Sequence, residues 1–212
     1  MELGTGVSGI VALTLAERIR RYVATDQDYV LKLLSQNISE NWRVSSGSGS
    51  SSASAPPPHH HHSSSKRKQS SKSSKSKLPR DAKPEPSSNI ETLALDWEVD
   101  SLQTLAALVD PGTGKRVVEN LDVVIACDCI YNEALIDPFV SCCAEICGLR
   151  SKEEDGKPTL CIVAQQLRSP EVFELWLRRF HRSFEVFRVP DQLLTDSLKD
   201  GSGYVVHIGL LR

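Results

Sequence analysis

The sequence has no apolar run approaching the roughly 20 residues of a membrane-spanning helix, which excludes a helical membrane protein. A signal-peptide pattern is also lacking: Glu2 directly follows Met1, with no basic stretch and apolar core behind it. The six cysteines are Cys127, Cys129, Cys142, Cys143, Cys147 and Cys161, and none forms a C-x-x-C pair. That absence removes the commonest zinc and dithiol patterns. Cys143 and Cys147 are spaced to share a helix face, but a zinc site needs two more ligands, so no metal is expected. Most of the six stand in apolar surroundings, where free cysteine acts as a small buried hydrophobe, and the chain reads as intracellular and reduced. A basic surplus is missing too. The 25 Lys and Arg stand against 27 Asp and Glu, a formal charge of −2, which excludes a basic folded nucleic-acid domain.

The charge is unevenly spread over the 212 residues. Ser45 to Ser88 is a low-complexity insert of serine runs, the Pro56–Pro58 triplet, the His59–His62 run and lysines spaced by serines. Between Ser45 and Lys83 eight Lys and Arg face one acid, which leaves −9 on everything else. Almost without apolar side chains, the insert has nothing to offset the entropy of ordering and is expected to be disordered. A solvated insertion in a surface loop is the favoured reading, while the basic stretch Lys66 to Lys77 leaves nuclear import or weak RNA contact open. Without the insert about 165 residues remain, so residues 1–212 are read as one domain interrupted at 45–88.

Outside the insert, helix and strand patterns alternate. Helices are expected over Val7–Arg20, Asp28–Glu40 (with Val30, Leu33, Leu34 and Ile38 on one side), Glu133–Leu149 and Pro170–His181. Strands are expected over Tyr22–Thr25, Glu91–Leu95, the β-branched run Leu121–Cys127 and Thr159–Ala164. Phe184–Val189 and Tyr204–Leu211 close the sheet as antiparallel strands. This order implies an α/β fold with a doubly wound, mostly parallel sheet.

The sharpest local feature is Glu2-Leu3-Gly4-Thr5-Gly6-Val7-Ser8-Gly9, in which Gly4, Gly6 and Gly9 fit G-x-G-x-x-G at the opening of a helix. Glycine serves there because the backbone must turn sharply and a cofactor must approach it closely. Asp26 follows about 20 residues on, where a carboxylate accepts hydrogen bonds from ribose hydroxyls. On its own, Asp26 reads equally well as the cap of the following helix. A dinucleotide would bring a pyrophosphate to the helix N-terminus. S-adenosylmethionine would bring a sulfonium and an amino group, and Glu2, at the tip of the first strand, suits the second better.

A second constellation, Asp122 to Tyr131, sets Cys127, Asp128 and Tyr131 at the end of a buried strand, the edge where open α/β sheets bind ligands. Read alone, Asp128 is as well a helix cap and Tyr131 a packing residue. Trp97, in Leu95-Asp96-Trp97, follows the preceding strand and can pack against an adenine or close the core edge.

Together, Glu2–Gly9, Thr25-Asp26, Leu95-Asp96-Trp97 and Ala126-Cys127-Asp128-Cys129-Ile130-Tyr131 resemble the seven-strand protein lysine methyltransferases of family 16. Asp128 and Tyr131 match that family's D-x-x-Y motif after the fourth strand. The segment Asp122–Tyr131 is most similar to the fungal ribosomal-protein lysine methyltransferases that modify large-subunit protein L1. The resemblance implies a Rossmann-like seven-strand fold, S-adenosylmethionine as cofactor and L1 as protein substrate. It also implies a monomer acting in the cytoplasm, with the nucleus open as a second compartment. By position it implies cofactor contacts from Glu2, Gly4, Thr5, Gly6, Asp26, Trp97 and Cys127, with Asp128 and Tyr131 holding the substrate lysine. The glycine fingerprint alone also permits a nicotinamide-dependent oxidoreductase, but there is no Tyr-x-x-x-Lys pair, and His181 and His207 read as helix-surface and strand residues. A non-catalytic binding protein is the other alternative. The family carries further sequence before the glycine loop, so the first strand is expected to be largely missing here. The chain alone is therefore expected to fold poorly or bind cofactor weakly, because unpaired buried backbone costs several kcal/mol.

Overall fold

The computed structural model describes residues 1–46, 89–100, 121–150 and 157–212. Seven strands form one sheet: β1 (Glu2–Leu3), β2 (Tyr22–Asp26), β3 (Ile90–Ala94), β4 (Val123–Cys127), β5 (Leu160–Gln166), β6 (Phe184–Arg188) and β7 (Tyr204–Leu211). Their order across the sheet is β3-β2-β1-β4-β5-β7-β6. The first five are parallel, and β7 runs antiparallel between β5 and β6. The order reverses direction at β1, with the next crossover going to β4, so the C-terminal ends of β1 and β4 frame the crevice where such sheets bind ligands.

The helices are α1 (Ile10–Ala16), α2 (Asp28–Ser46), α3 (Ile136–Gly148) and α4 (Pro170–Ser183). Alternation along β2 decides which core each residue joins. Tyr22 and Ala24 pack with Ala12, Ala16, Leu34 and Ile38 beneath α1 and α2. Val23 points the other way, into a larger core with Leu3, Val124, Ala126, Phe139, Ile146, Trp176 and Phe180 beneath α3 and α4. α4 starts on a side-chain cap, Ser169 Oγ accepting from the Val172 N–H at 3.4 Å, with Pro170 in the first turn where a missing N–H is harmless.

The doubly wound sheet and its antiparallel closing strands are as the sequence implies; the element edges differ for local reasons. Helix α1 is shorter than Val7–Arg20 because Gly9 holds a left-handed φ of 60°, keeping the preceding residues in the loop. Its far end is tightened by Arg18 N–H to Leu15 O and Ile19 N–H to Ala16 O bonds, which end the α-helical ladder. Helix α2 continues past Glu40 to Ser46, so the helix runs into the expected insert; the rest of that insert lies outside the described residues. On α2, Leu34 and Ile38 face inward as expected, but Leu33 is 46% exposed and Leu31 packs in its place. The segment Glu133–Leu149 divides into a 3₁₀ turn, Glu133–Leu135, and α3. The division follows from Asn132, whose side chain accepts the Ala134 N–H at 3.0 Å.

Strand β1 is two residues long, lying opposite Ala24–Thr25 on one side and Ile125–Ala126 on the other. Met1 extends the pairing, its amino group donating to Val123 O at 2.9 Å and its carbonyl accepting the Ile125 N–H at 2.8 Å. Short as it is, β1 ties both halves of the sheet, and Leu3 is completely buried.

Candidate active site

The loop leaving β1 needs glycine three times: Gly4, Gly6 and Gly9 have φ of 65°, 68° and 60°, in the left-handed region that a Cβ disfavours. At Gly4 the need is also steric, since an added Cβ would stand 2.9 Å from Cys129 Sγ and 3.2 Å from the Trp97 ring. The loop is held from β2. The Thr5 N–H donates to Thr25 O at 2.9 Å, and the Gly6 N–H donates to Asp26 Oδ2 at 2.8 Å. The other Asp26 oxygen accepts the Gln27 N–H, also at 2.8 Å. Asp26 therefore closes the glycine loop and does not cap α2, whose first-turn amides it does not engage. Each oxygen keeps a lone pair for a further donor.

Next to it, the Gln27 side-chain N–H donates to Asp96 Oδ2 at 2.8 Å, joining the ends of β2 and β3. The Asp96–Asp100 turn is closed by its own polar groups: Asp96 Oδ1 accepts the Glu98 N–H at 3.0 Å, and Asp100 Oδ2 accepts the Asp96 N–H at 2.7 Å. That turn sets Trp97 against Phe139, ring centroids 5.1 Å apart at 59°.

Past β4, Asp128 takes a φ of 58°, the one non-glycine residue with a left-handed backbone among those described. Its N–H donates to Ala164 O at 2.8 Å, extending the β4–β5 pairing by one residue. Aspartate tolerates this conformation better than most residues. Asp128 Oδ2 accepts from Arg168 Nη2 at 2.5 Å, and Arg168 Nε donates to Gln166 Oε1 at 3.0 Å. Tyr131 stands 64% exposed at the mouth.

These groups enclose a cavity of about 260 Å3 over the C-terminal ends of β1–β4, lined by Gly4, Gly6, Asp26, Asp96, Trp97, Asp128, Tyr131 and their neighbours. Six of the residues named from sequence thus meet in one place: Gly4, Gly6, Asp26, Trp97, Asp128 and Tyr131. Glu2, Thr5 and Cys127 do not line the cavity. Glu2 is 2% exposed beneath the loop and accepts from the Tyr22 hydroxyl at 2.9 Å. Burial raises its carboxyl above the usual 4.5, against the opposing pull of Tyr22. It supports the loop from within. Thr5 is buried as well, and burial pushes the Cys127 thiol up to about 11. Cys129 reaches the cavity instead; its thiol donates to Leu3 O at 3.2 Å, and burial pushes it up to about 12, so it is a protonated wall and not a nucleophile. Gln27, Asp96, Glu98, Cys129 and Arg168 escaped the sequence reading. All stand within four residues of the C-terminal end of a strand that ends at this edge, and that position was the signal available.

The lining carries four carboxylates, Asp26, Asp96, Glu98 and Asp128, and no Lys, Arg or His among the described residues. Such a cavity attracts a cation and repels a pyrophosphate.

The sequence is 30% identical over 200 residues to ribosomal lysine N-methyltransferase 5 of Vanderwaltozyma polyspora, covering 93% of this chain and 56% of that protein. It is 30% identical over 201 residues to the protein of the same name in Saccharomyces cerevisiae, covering 93% and 53%. To the Zygosaccharomyces rouxii protein it is 29% identical over 181 residues, covering 84% and 49%. The chain thus spans about half the length of the curated relatives it matches. No protein-family model matches the sequence. Among solved structures, the CurJ carbon methyltransferase superposes with a TM-score of 0.51 at 12% identity, covering 99% of this chain and 47% of that one. A methyltransferase from Pyrococcus furiosus gives 0.50 at 13% identity, covering 99% and 74%. The fold is that of the Rossmann-like methyltransferases.

Proposed function

We propose that this chain is an S-adenosylmethionine-dependent protein-lysine N-methyltransferase acting on a ribosomal protein. The observation that carries the reading is the acidic lining of the cavity. S-adenosylmethionine has net positive charge from its sulfonium and ammonium groups, whereas a nicotinamide dinucleotide carries a pyrophosphate that Asp26, Asp96 and Glu98 would repel, Asp128 being balanced by Arg168. The residues present fit the cofactor. Gly4 leaves Trp97 room to close on the loop, and nothing stands within 4 Å of where a Cβ on Gly6 would be, on the cavity side. Asp26 would accept from the ribose hydroxyls, and Trp97 would pack on the face of the adenine.

When bound, the cofactor would supply the methyl group that the neutral lysine nitrogen takes, leaving as its uncharged thioether. The chain's own task is to present the amine. Free lysine titrates near ~10.4, so the site must receive it as the neutral amine and aim its lone pair. Asp128 accepts an amine N–H, and Tyr131, at the mouth, fixes the aliphatic stem. The proton released by the methylated product passes to water. Support for a ribosomal protein target comes from the relatives' names. The finer reading rests on the resemblance at Asp122–Tyr131: large-subunit protein L1 as target, a monomeric enzyme and a cytoplasmic site of action.

The test is incubation of the chain with tritiated S-adenosylmethionine and salt-washed yeast ribosomal proteins, followed by acid hydrolysis. Label in methyl-lysine of one large-subunit protein is expected, with loss in Asp128→Asn. Label in no lysine, or equal label with the variant, would refute the proposal.

A further inference from the structure

Arg168 has no part in the reading above, yet it is the partner of the residue on which that reading depends. It stands two residues past β5, and its guanidinium is held from two sides. Nε donates to Gln166 Oε1 at 3.0 Å and Nη2 donates to Asp128 Oδ2 at 2.5 Å. The Arg168 N–H donates to Gln166 O at 3.0 Å, fixing the backbone beneath. Asp128 is fixed as firmly, its N–H on Ala164 O and its φ at 58°. The pair therefore sits between two anchored backbones. It is half-exposed, with side-chain exposures of 56% for Arg168 and 44% for Asp128. Asp128 lines the cavity and Arg168 does not. Among the described residues Asp128 Oδ1 accepts no hydrogen bond, so the carboxylate has one oxygen turned to its guanidinium and one free.

We propose that Arg168 is a positioning residue that aims the Asp128 carboxylate and balances its charge, so that the substrate lysine enters as the neutral amine. The inference rests on the lysine methyltransferase reading and deepens it. A lone carboxylate beside an incoming lysine would favour the ammonium form, which has no lone pair to attack a methyl group. The surroundings make this acute. Asp26, Asp96 and Glu98 face the same cavity, the Cys127 and Cys129 thiols behind Asp128 are uncharged, and Tyr131 is the remaining titratable group on the Asp128 segment. An Asp128 already paired with a guanidinium adds no net charge at the mouth. It can hold the amine through one N–H···O bond at Oδ1 without holding the extra proton.

Two measurements on the whole chain test this. The first is the pH profile of kcat from 6.5 to 9.5, with salt-washed yeast ribosomal proteins as substrate. Arg168→Gln is expected to move the alkaline rise upward by about one unit, lowering the rate about tenfold at pH 7.5, with convergence toward the wild type at pH 9.5. Arg168→Lys is expected to restore most of the shift, and S-adenosylhomocysteine affinity to stay unchanged in both. The second does not depend on activity: the ¹⁵N Nη2 resonance of Arg168, the group that donates to Asp128, assigned through Arg168→Lys, should be resolved by slow rotation and exchange in the wild type and averaged with its neighbour in Asp128→Asn, while the Nε–H signal held by Gln166 stays. Asparagine tolerates the left-handed backbone, so that variant keeps the fold. A profile of Arg168→Gln that overlays the wild type, or a resonance unmoved by Asp128→Asn, overturns the inference. A wild-type chain with the resonance intact but no methyl transfer at any pH overturns the lysine methyltransferase reading, and this inference with it.

Discussion

Alanine in place of Gly4, Gly6 and Gly9, one at a time, separates what the loop demands of the backbone from what it demands of space. All three have φ between 60° and 68°, so each alanine incurs the left-handed penalty of roughly 1–2 kcal/mol. At Gly6 that is the whole cost to the fold, because no atom lies within 4 Å of the new Cβ. At Gly9 the Cβ lands 3.0 Å from Ile38 Cγ1 and 3.1 Å from Leu34 Cδ1, side-chain atoms that must give by a few tenths of an ångström. At Gly4 it lands 2.9 Å from Cys129 Sγ and 3.2 Å from Trp97, and overpacking of this kind adds ~1–3 kcal/mol. Stability from urea unfolding should therefore fall in the order Gly4→Ala, Gly9→Ala, Gly6→Ala, spanning about 1 to 5 kcal/mol. Affinity for S-adenosylmethionine, measured by calorimetry, should follow a different order. Gly4→Ala displaces Trp97 and Gly6→Ala puts a methyl into the cavity, so both lose binding. Gly9 does not line the cavity, so Gly9→Ala keeps binding despite its larger cost to the fold. Gly6→Ala as destabilising as Gly4→Ala, or Gly9→Ala weaker in binding than Gly6→Ala, would refute the reasoning.

Other substitutions test the interior. Tyr22→Phe removes the Tyr22 hydroxyl that donates to the buried Glu2 carboxyl and should cost ~1–3 kcal/mol in urea unfolding at pH 7. Because burial raises the Glu2 carboxyl above 4.5, the native state holds that proton longer than the unfolded chain, and this group's contribution declines as pH rises past 4.5. Glu2→Gln should remove that decline, seen as a difference between the variant's and the wild type's stability–pH curves. His207 has the opposite sign: burial lowers it from 6.5 to about 4, so its contribution is complete above pH 6.5 and is lost as pH falls toward 4. His207→Phe, packing against Trp176 and Phe173, should flatten that acid slope in thermal melts; an unchanged slope would contradict the assignment. In Gly209→Ala the Cβ would stand 2.6 Å from Phe180 Cζ, a clash worth ~1–3 kcal/mol that Phe180→Leu in the same chain should partly relieve.

The parallel strands and the closing antiparallel pair were legible because each is a short apolar run between turn signals, and such runs admit few arrangements. Asp26, named from its spacing to the glycine loop, Trp97, named from the strand before it, and Asp128 and Tyr131, named from the carboxyl edge, line one cavity. The carboxyl-edge rule could equally have named Asp96 and Arg168, which stand at the same edge; what hid Arg168 is that its role depends on Asp128, 40 residues away. Glu2 stands away from the cavity lining for a different reason. An acid before a glycine loop suggests a ligand contact, but strand alternation put its side chain under the sheet edge, where Tyr22 receives it. The C-terminal end of α1 was illegible because helix-favouring Glu17 and Arg18 follow it, and at its start the left-handed Gly9, not the apolar Val7, decides where the helix begins.

The central claim is that the acid-lined cavity takes a cationic adenosine cofactor, and calorimetric titration of the chain with S-adenosylmethionine and with NAD at equal concentrations tests it most directly. Saturable heat with S-adenosylmethionine, reduced in Asp26→Asn, and none with NAD is the result predicted. Saturable binding of NAD with no heat from S-adenosylmethionine would contradict it.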